Sequence, residues 1–143
     1  MERSFMLPEA PENKVGRADS PTRWLQYARA DLAMAKAPLP PGRLYEHLYY
    51  HAQQAAEKSL KAVILSKGGE FPFTHNLQWL LDVLPESTIP PSEVLDAVAL
   101  TPYGTTTRYP REVEPLTAQD RAQAVKLAES VVQWAETITN IKP

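Results

Sequence analysis

The stretch YYHAQQAAEKSLKAVIL, residues 49–65, decides the predicted fold of this chain. At 100° per residue, the small and aliphatic side chains of the helix that contains it fall on one broad arc, which consists of Leu48, Ala52, Ala55, Ala56, Leu60 and Val63. The polar side chains on the opposite side are His47, His51, Gln54, Lys58 and Lys61. A helix that is apolar over so wide an arc packs against more than one neighbour, so the stretch predicts the central helix of a helical bundle.

Length and composition bound the class of protein. A chain of 143 residues predicts one domain with a core of its own. The net charge of −2 gives no overall basic field, so nucleic-acid binding would need a local basic patch. The absence of cysteine excludes disulfides and thiolate metal sites. The sequence has neither a signal-peptide pattern nor a long apolar segment, and we expect a cytoplasmic protein without membrane contact.

Turn and cap signals divide the first half of the chain. Residues 1–19 lack periodicity and predict a poorly ordered N-terminal tail, followed by a helical domain over residues 20–141. Ser20 followed by Pro21 is typical of a helix start, and this helix should reach about Lys36. The central helix should begin near Arg43 or Leu44 and end at two glycines, Gly68 and Gly69.

The second half predicts two short helices and one long one. Leucine spacing favours a short helix over residues 76–84, and Ser92 should cap another that ends near Thr101. A long loop then precedes a capping-box pattern at Thr117, which opens a last helix to about Asn140. The predicted fold is therefore all-α, an up-and-down bundle of four main helices plus short helical pieces.

Three segments together resemble a known family. Residues 49–65, the Thr-His-Asn-Leu of residues 74–77 and the Arg-Tyr-Pro of residues 108–110 are similar to motifs of HEPN proteins, which are small prokaryotic helical proteins. Their order also fits, and the resemblance covers roughly residues 20–140. It implies a homodimer that is often paired with a minimal nucleotidyltransferase in a toxin–antitoxin-like, two-gene system.

The resemblance also raises the question of RNA cleavage. HEPN ribonucleases carry an arginine separated from a histidine by four to six residues, and this pairing suits acid–base chemistry at a 2′-hydroxyl beside a bound phosphate. Here three residues separate Arg43 from His47, and seven separate Arg43 from His51. The motif is absent, which favours a non-enzyme. A rearranged site of His47, His51, Arg43 and Arg108 remains the alternative.

Metal and cofactor sites have weak support. His47 and His51 share a helix face at the spacing of a metal pair, but no third ligand follows at a recognisable distance. Glycine-rich phosphate loops are absent as well. We expect neither a metal nor a cofactor.

The candidate ligand-binding residues combine cations, amides and one aromatic ring. They are His51, Gln54, Lys58, Lys61, Arg108 and Tyr109. Asp31 lies at the edge of the first helix's apolar face and should form a structural ion pair with Lys58, Lys61 or Arg108. Glu57 has two interpretations, a site residue and an ordinary solvated position.

Three functional hypotheses remain open. The first is an interaction protein that acts with a minimal nucleotidyltransferase and binds nucleotide or RNA. The second is a metal-independent ribonuclease toxin with a non-standard arrangement of arginine and histidine. The third is a nucleotide-binding module without catalysis, whose binding should be sensitive to salt.

Overall fold

The computed structural model describes residues 20–103 and 115–143. In chain order, these ranges contain α1 (Pro21–Lys36), α2 (Tyr45–Ser66), α3 (Leu77–Asp82), α4 (Ser92–Asp96), a 3-10 segment (Ala97–Tyr103) and α5 (Ala118–Thr139). No strand occurs within the described ranges. The predicted all-α fold is confirmed, with α1, α2 and α5 as its three long helices.

Local capping explains where the helices begin. The Ser20 side chain accepts a hydrogen bond from the backbone N–H of Arg23, with Pro21 in the first turn of α1. Thr117 and Asp120 form a reciprocal capping box at the start of α5. The predicted cap at Ser92 is wrong, because Pro91 occupies the N-cap position and Ser92 is the first residue of α4.

The core is built around α2, which packs against both α1 and α5. The predicted apolar arc of α2 is confirmed, since every member is at most 4% exposed. Its members are Leu48, Ala52, Ala55, Ala56, Leu60 and Val63. Small alanines on α1, α2 and α5 allow the three helix axes to approach closely.

Burial of α2 extends beyond the predicted arc. Every residue from Ala52 to Ile64 is buried except Lys58, which is half-buried. The wide apolar arc is thus covered within one chain, by α1, α5 and the segments that follow α2. Burial of this arc within one chain means that the arc itself gives no support for a dimer.

Several sequence features lie outside the described ranges. These are the N-terminal tail of residues 1–19 and the loop that carries Arg108, Tyr109, Pro110 and Arg111. In the part that is described, no helix combines the length and apolar character that crossing a membrane would require.

Candidate functional site

The polar side of α2 forms a continuous arc, which we call the α2 polar arc. It consists of His51, Lys58, Gln54, Lys61, Glu57 and Gln53, in angular order around the helix. Four of these six side chains are buried, namely Gln53, Gln54, Glu57 and Lys61. Because buried polar groups need partners, the contacts of this arc define the chemistry of the site.

One edge of the α2 polar arc is joined to α1 through Asp31. Lys58 Nζ donates to Asp31 Oδ2 over 2.6 Å, and His51 Nδ1 lies 2.9 Å from Asp31 Oδ1. The Asp31 side chain is only 13% exposed. Of the two candidate partners of Asp31 that are described, Lys58 and Lys61, Lys58 forms the ion pair, and His51 is a further partner that the sequence did not indicate.

The other edge of the arc is organised by Glu57, whose side chain is 3% exposed. Lys61 Nζ donates to Glu57 Oε2 over 2.7 Å, and His75 Nδ1 lies 2.9 Å from Glu57 Oε1. Gln53 Nε2 also donates to Glu57 Oε1, at 3.3 Å, and to the backbone carbonyl of His75, at 3.1 Å. Glu57 is therefore a buried hub and not part of a solvated helix face.

Lys61 is held between aromatic rings. Its Nζ lies 5.3 Å from the ring centroid of Trp24 and 5.0 Å from that of Phe71. The two rings contact each other edge to face, with centroids 5.4 Å apart. Cation–π attraction and the ion pair with Glu57 together compensate the buried ammonium. In this arrangement Lys61 does not share an exposed surface with Lys58.

His47 has a local structural role. The backbone N–H of Leu44 donates to His47 Nδ1 over 3.0 Å, and this closes the first turn of α2. The ring is exposed and lies one turn before His51 on the same helix. In all three histidines of the chain, Nδ1 makes a hydrogen-bond contact with another group of the same chain.

The carboxylate–imidazole contacts decide what the histidines can do chemically. A carboxylate beside Nδ1 favours the tautomer with a proton on Nδ1, which leaves Nε2 free to accept a proton. For both His51 and His75, Nε2 has no hydrogen-bond partner among the described residues. No group of three or more potential metal-binding side chains occurs in the described ranges.

The described arginines lie apart from these networks. Arg29 on α1 pairs with Glu136 on α5. Arg121 on α5 donates to the carbonyls of Ala35 and Ala37 at the C-terminal end of α1, so both arginines join α1 to α5. The Arg43 side chain has no hydrogen bond or ion pair within the described ranges. Arg108 and Tyr109, the remaining candidates, lie outside those ranges.

Sequence reasoning missed the hub at Glu57 and its contact with His75. One signal was present, because Glu57 and Lys61 stand four residues apart, a spacing that favours ion pairs on a helix. No local signal indicated His75, which is 18 positions from Glu57. Gln54 is buried and donates to Gln53 Oε1 over 2.8 Å, so this candidate contacts its own helix.

Comparisons with known proteins agree with the helical architecture. The crystal structure of TT1696 from Thermus thermophilus superimposes with a TM-score of 0.73 at 30% sequence identity. The match covers 84% of this chain and 98% of that one. No curated protein gives a significant sequence match. The model of the HEPN domain family matches residues 22–138, so the chain belongs to the HEPN domain family.

Proposed function

We propose that this chain is a non-catalytic HEPN subunit that forms a complex with a minimal nucleotidyltransferase, in a toxin–antitoxin-like pair. One observation carries the proposal: among the described residues, no arginine side chain contacts any of the three histidines, and each histidine is held by its own fold through Nδ1. His47 closes a helix turn, while His51 and His75 extend networks that are already balanced by Lys58 and Lys61. These are roles in holding helices together, and they suit a protein whose activity is to bind a partner.

Membership of the HEPN domain family supports a minimal nucleotidyltransferase as the partner. The missing arginine–histidine spacing supports a binding role over nuclease activity, since Arg43 precedes His47 with only three residues between them. The fold also leaves large apolar side chains exposed on one side of α1, where Tyr27 and Met34 stand seven residues apart. Exposed apolar groups of this kind are available for association.

A homodimer is part of this proposal. The exposed positions Tyr27 and Met34 support it, together with the family. Sedimentation equilibrium should give a mass of twice 16.0 kDa at micromolar concentration. A mass of one chain across the accessible concentration range would contradict the dimer but would leave complex formation with a different protein to be tested separately.

The partner experiment uses the full chain and a purified minimal nucleotidyltransferase. Titration calorimetry should detect a complex with Kd of about 1 µM or tighter, which corresponds to roughly −8 kcal/mol. The His51→Ala variant should bind equally well, because its imidazole serves the contact between α1 and α2. Absence of binding up to about 100 µM would overturn the proposed function.

Metal-independent RNA cleavage is the second candidate, and the contact between Asp31 and His51 favours it. The carboxylate holds Nδ1, and the half-buried ring keeps Nε2 free to act as a general base. Arg43 or Arg108 would then have to contact the phosphate. Cleavage in the presence of EDTA that is lost in His51→Ala would establish this function in place of the first.

Nucleotide binding without catalysis is the third candidate. Lys58 and His51 support it, because they are half-buried beside each other at Asp31 and keep some access to solvent. Lys61 weighs against a single exposed pocket, since it is buried in another network. Affinity for a labelled oligonucleotide that falls with salt and is lost in Lys58→Ala would support binding at this edge.

A further inference from the structure

The segment that joins α2 to α3, residues 67–76, covers one edge of the α2 polar arc. Gly68, at φ +82°, ends α2 and lets the chain reverse direction. The segment then runs back along α2, because Phe71 contacts Lys61 and His75 contacts Glu57, one turn earlier. It thereby separates a buried ion pair from solvent.

The segment that provides this cover is itself poorly buried. None of its ten residues is buried, and Phe73 is 98% exposed. Between Glu70 and Thr74 the backbone makes no hydrogen bond within the described part of the chain. Segments with few buried contacts and few backbone hydrogen bonds open at lower free energy than the core around them.

Three contacts hold the segment closed. The Phe71 ring packs against Trp24 and Lys61, His75 Nδ1 contacts Glu57, and Gln53 donates to the His75 carbonyl. The His75 side chain is half exposed, which weakens its contribution through solvent screening. The polar contacts are made to α2, and the three long helices pack directly against one another, so releasing the segment would leave that packing in place.

The groups beneath the segment can accept water when it opens. Glu57 and Lys61, at 3% and 9% exposure of their side chains, regain hydration. Opening therefore relieves the desolvation of two buried charges.

We propose that residues 67–76 form a hinged cover, with His75 as its latch on Glu57, that opens while the three-helix body stays folded. Opening exposes Lys61 and Glu57, which the closed form hides, and so extends the exposed polar surface from Lys58 toward Lys61. The inference concerns a movement within the chain and does not depend on the proposed partner.

The wild-type protein provides the first test. Pulses of acetic anhydride label lysine amines, and mass spectrometry quantifies Lys61 separately from Lys126, which is exposed on α5. If Lys61 becomes accessible by local opening, its labelling rate should change less than about twofold in urea below the unfolding transition, because local opening exposes little surface. A rate that rises steeply with urea would show that Lys61 is reached only by global unfolding and would overturn the proposal.

Two variants test the latch. His75→Ala removes the contact with Glu57 and leaves the Trp24 and Phe71 rings beside Lys61 Nζ, and it should raise Lys61 labelling about threefold to tenfold. Phe73→Ala is the matched control, since its ring lies in the same segment but is almost fully exposed, and should leave the rate unchanged. Lys58 lies on α2 and contacts Asp31, so its labelling rate shows whether α2 itself has been disturbed. The Lys58 labelling rate should be the same in both variants as in the wild type. Equal Lys61 rates in His75→Ala and wild type, or a parallel rise at Lys58, would overturn the role of His75.

Discussion

Lys58 on α2 and Asp31 on α1 form an interhelical ion pair with 2.6 Å between Nζ and Oδ2. Both side chains are largely shielded from solvent, at 24% and 13% exposure, and His51 contacts the second carboxylate oxygen. The carboxylate therefore has both oxygens occupied and connects two turns of α2 to one turn of α1. This relationship fixes how the two helices lie against each other at the accessible edge of the α2 polar arc.

Replacing Asp31 with alanine should destabilise the fold by about 1 to 3 kcal/mol, because Lys58 and His51 lose their shared partner in a partly buried position. Urea unfolding followed by circular dichroism measures the change. The matched control is Lys36→Ala, whose partner Glu129 lies in a more exposed pair and whose loss should cost about 0 to 1 kcal/mol. A cost below about 0.5 kcal/mol for Asp31→Ala would mean that the pair carries no net stability.

Glu57→Gln should be more damaging, at about 3 to 5 kcal/mol, because it leaves the Lys61 ammonium buried without its counter-charge. The double variant Glu57→Gln/Lys61→Met should recover part of the loss, since a flexible apolar side chain of similar length can lie between Trp24 and Phe71. Thermal unfolding of the two variants and the wild type forms the comparison. A double variant that is less stable than the single one would show that Lys61 contributes to stability without the Glu57 charge.

Thr117→Ala should cost about 1 kcal/mol, because its hydroxyl accepts from the N–H of Asp120 at the start of α5. The Asp120 carboxylate accepts a hydrogen bond from the backbone N–H of Thr117, so Asp120→Ala should also lower the stability of the fold. Thr137→Ala is the control, since this exposed hydroxyl only donates to a carbonyl within α5 and its loss should stay within about 0.5 kcal/mol. Equal unfolding midpoints for Thr117→Ala and wild type would refute the importance of this cap.

The long helices could be predicted because their signals are local. Apolar spacing identified the buried arc of α2, and cap residues such as Ser20 and Thr117 identified two helix starts. The ends of α3 and α4 were less predictable, because each helix is short and its bounds depend on packing against neighbours. Propensity has little weight in helices of five or six residues.

The candidate site was only partly predictable, for a related reason. The sequence placed His51, Lys58 and Lys61 on one polar side of α2, and this grouping is present in the α2 polar arc. It could not indicate that Lys61 and Glu57 are buried, because their burial depends on residues 67–76 folding back along α2. Contacts of this kind join distant positions, such as Asp31 and His51, and leave no periodic pattern in the sequence.

The histidines, in the function proposed for this chain, hold the fold together and do not cleave RNA. The decisive measurement is incubation of the purified full chain with a mixed, labelled RNA pool in EDTA, beside the His47→Ala/His51→Ala double variant. We predict that neither the wild-type protein nor the variant cleaves the RNA pool, even at high protein concentration. Cleavage by the wild type that disappears in the variant would contradict this role and would identify a nuclease that depends on His47 or His51.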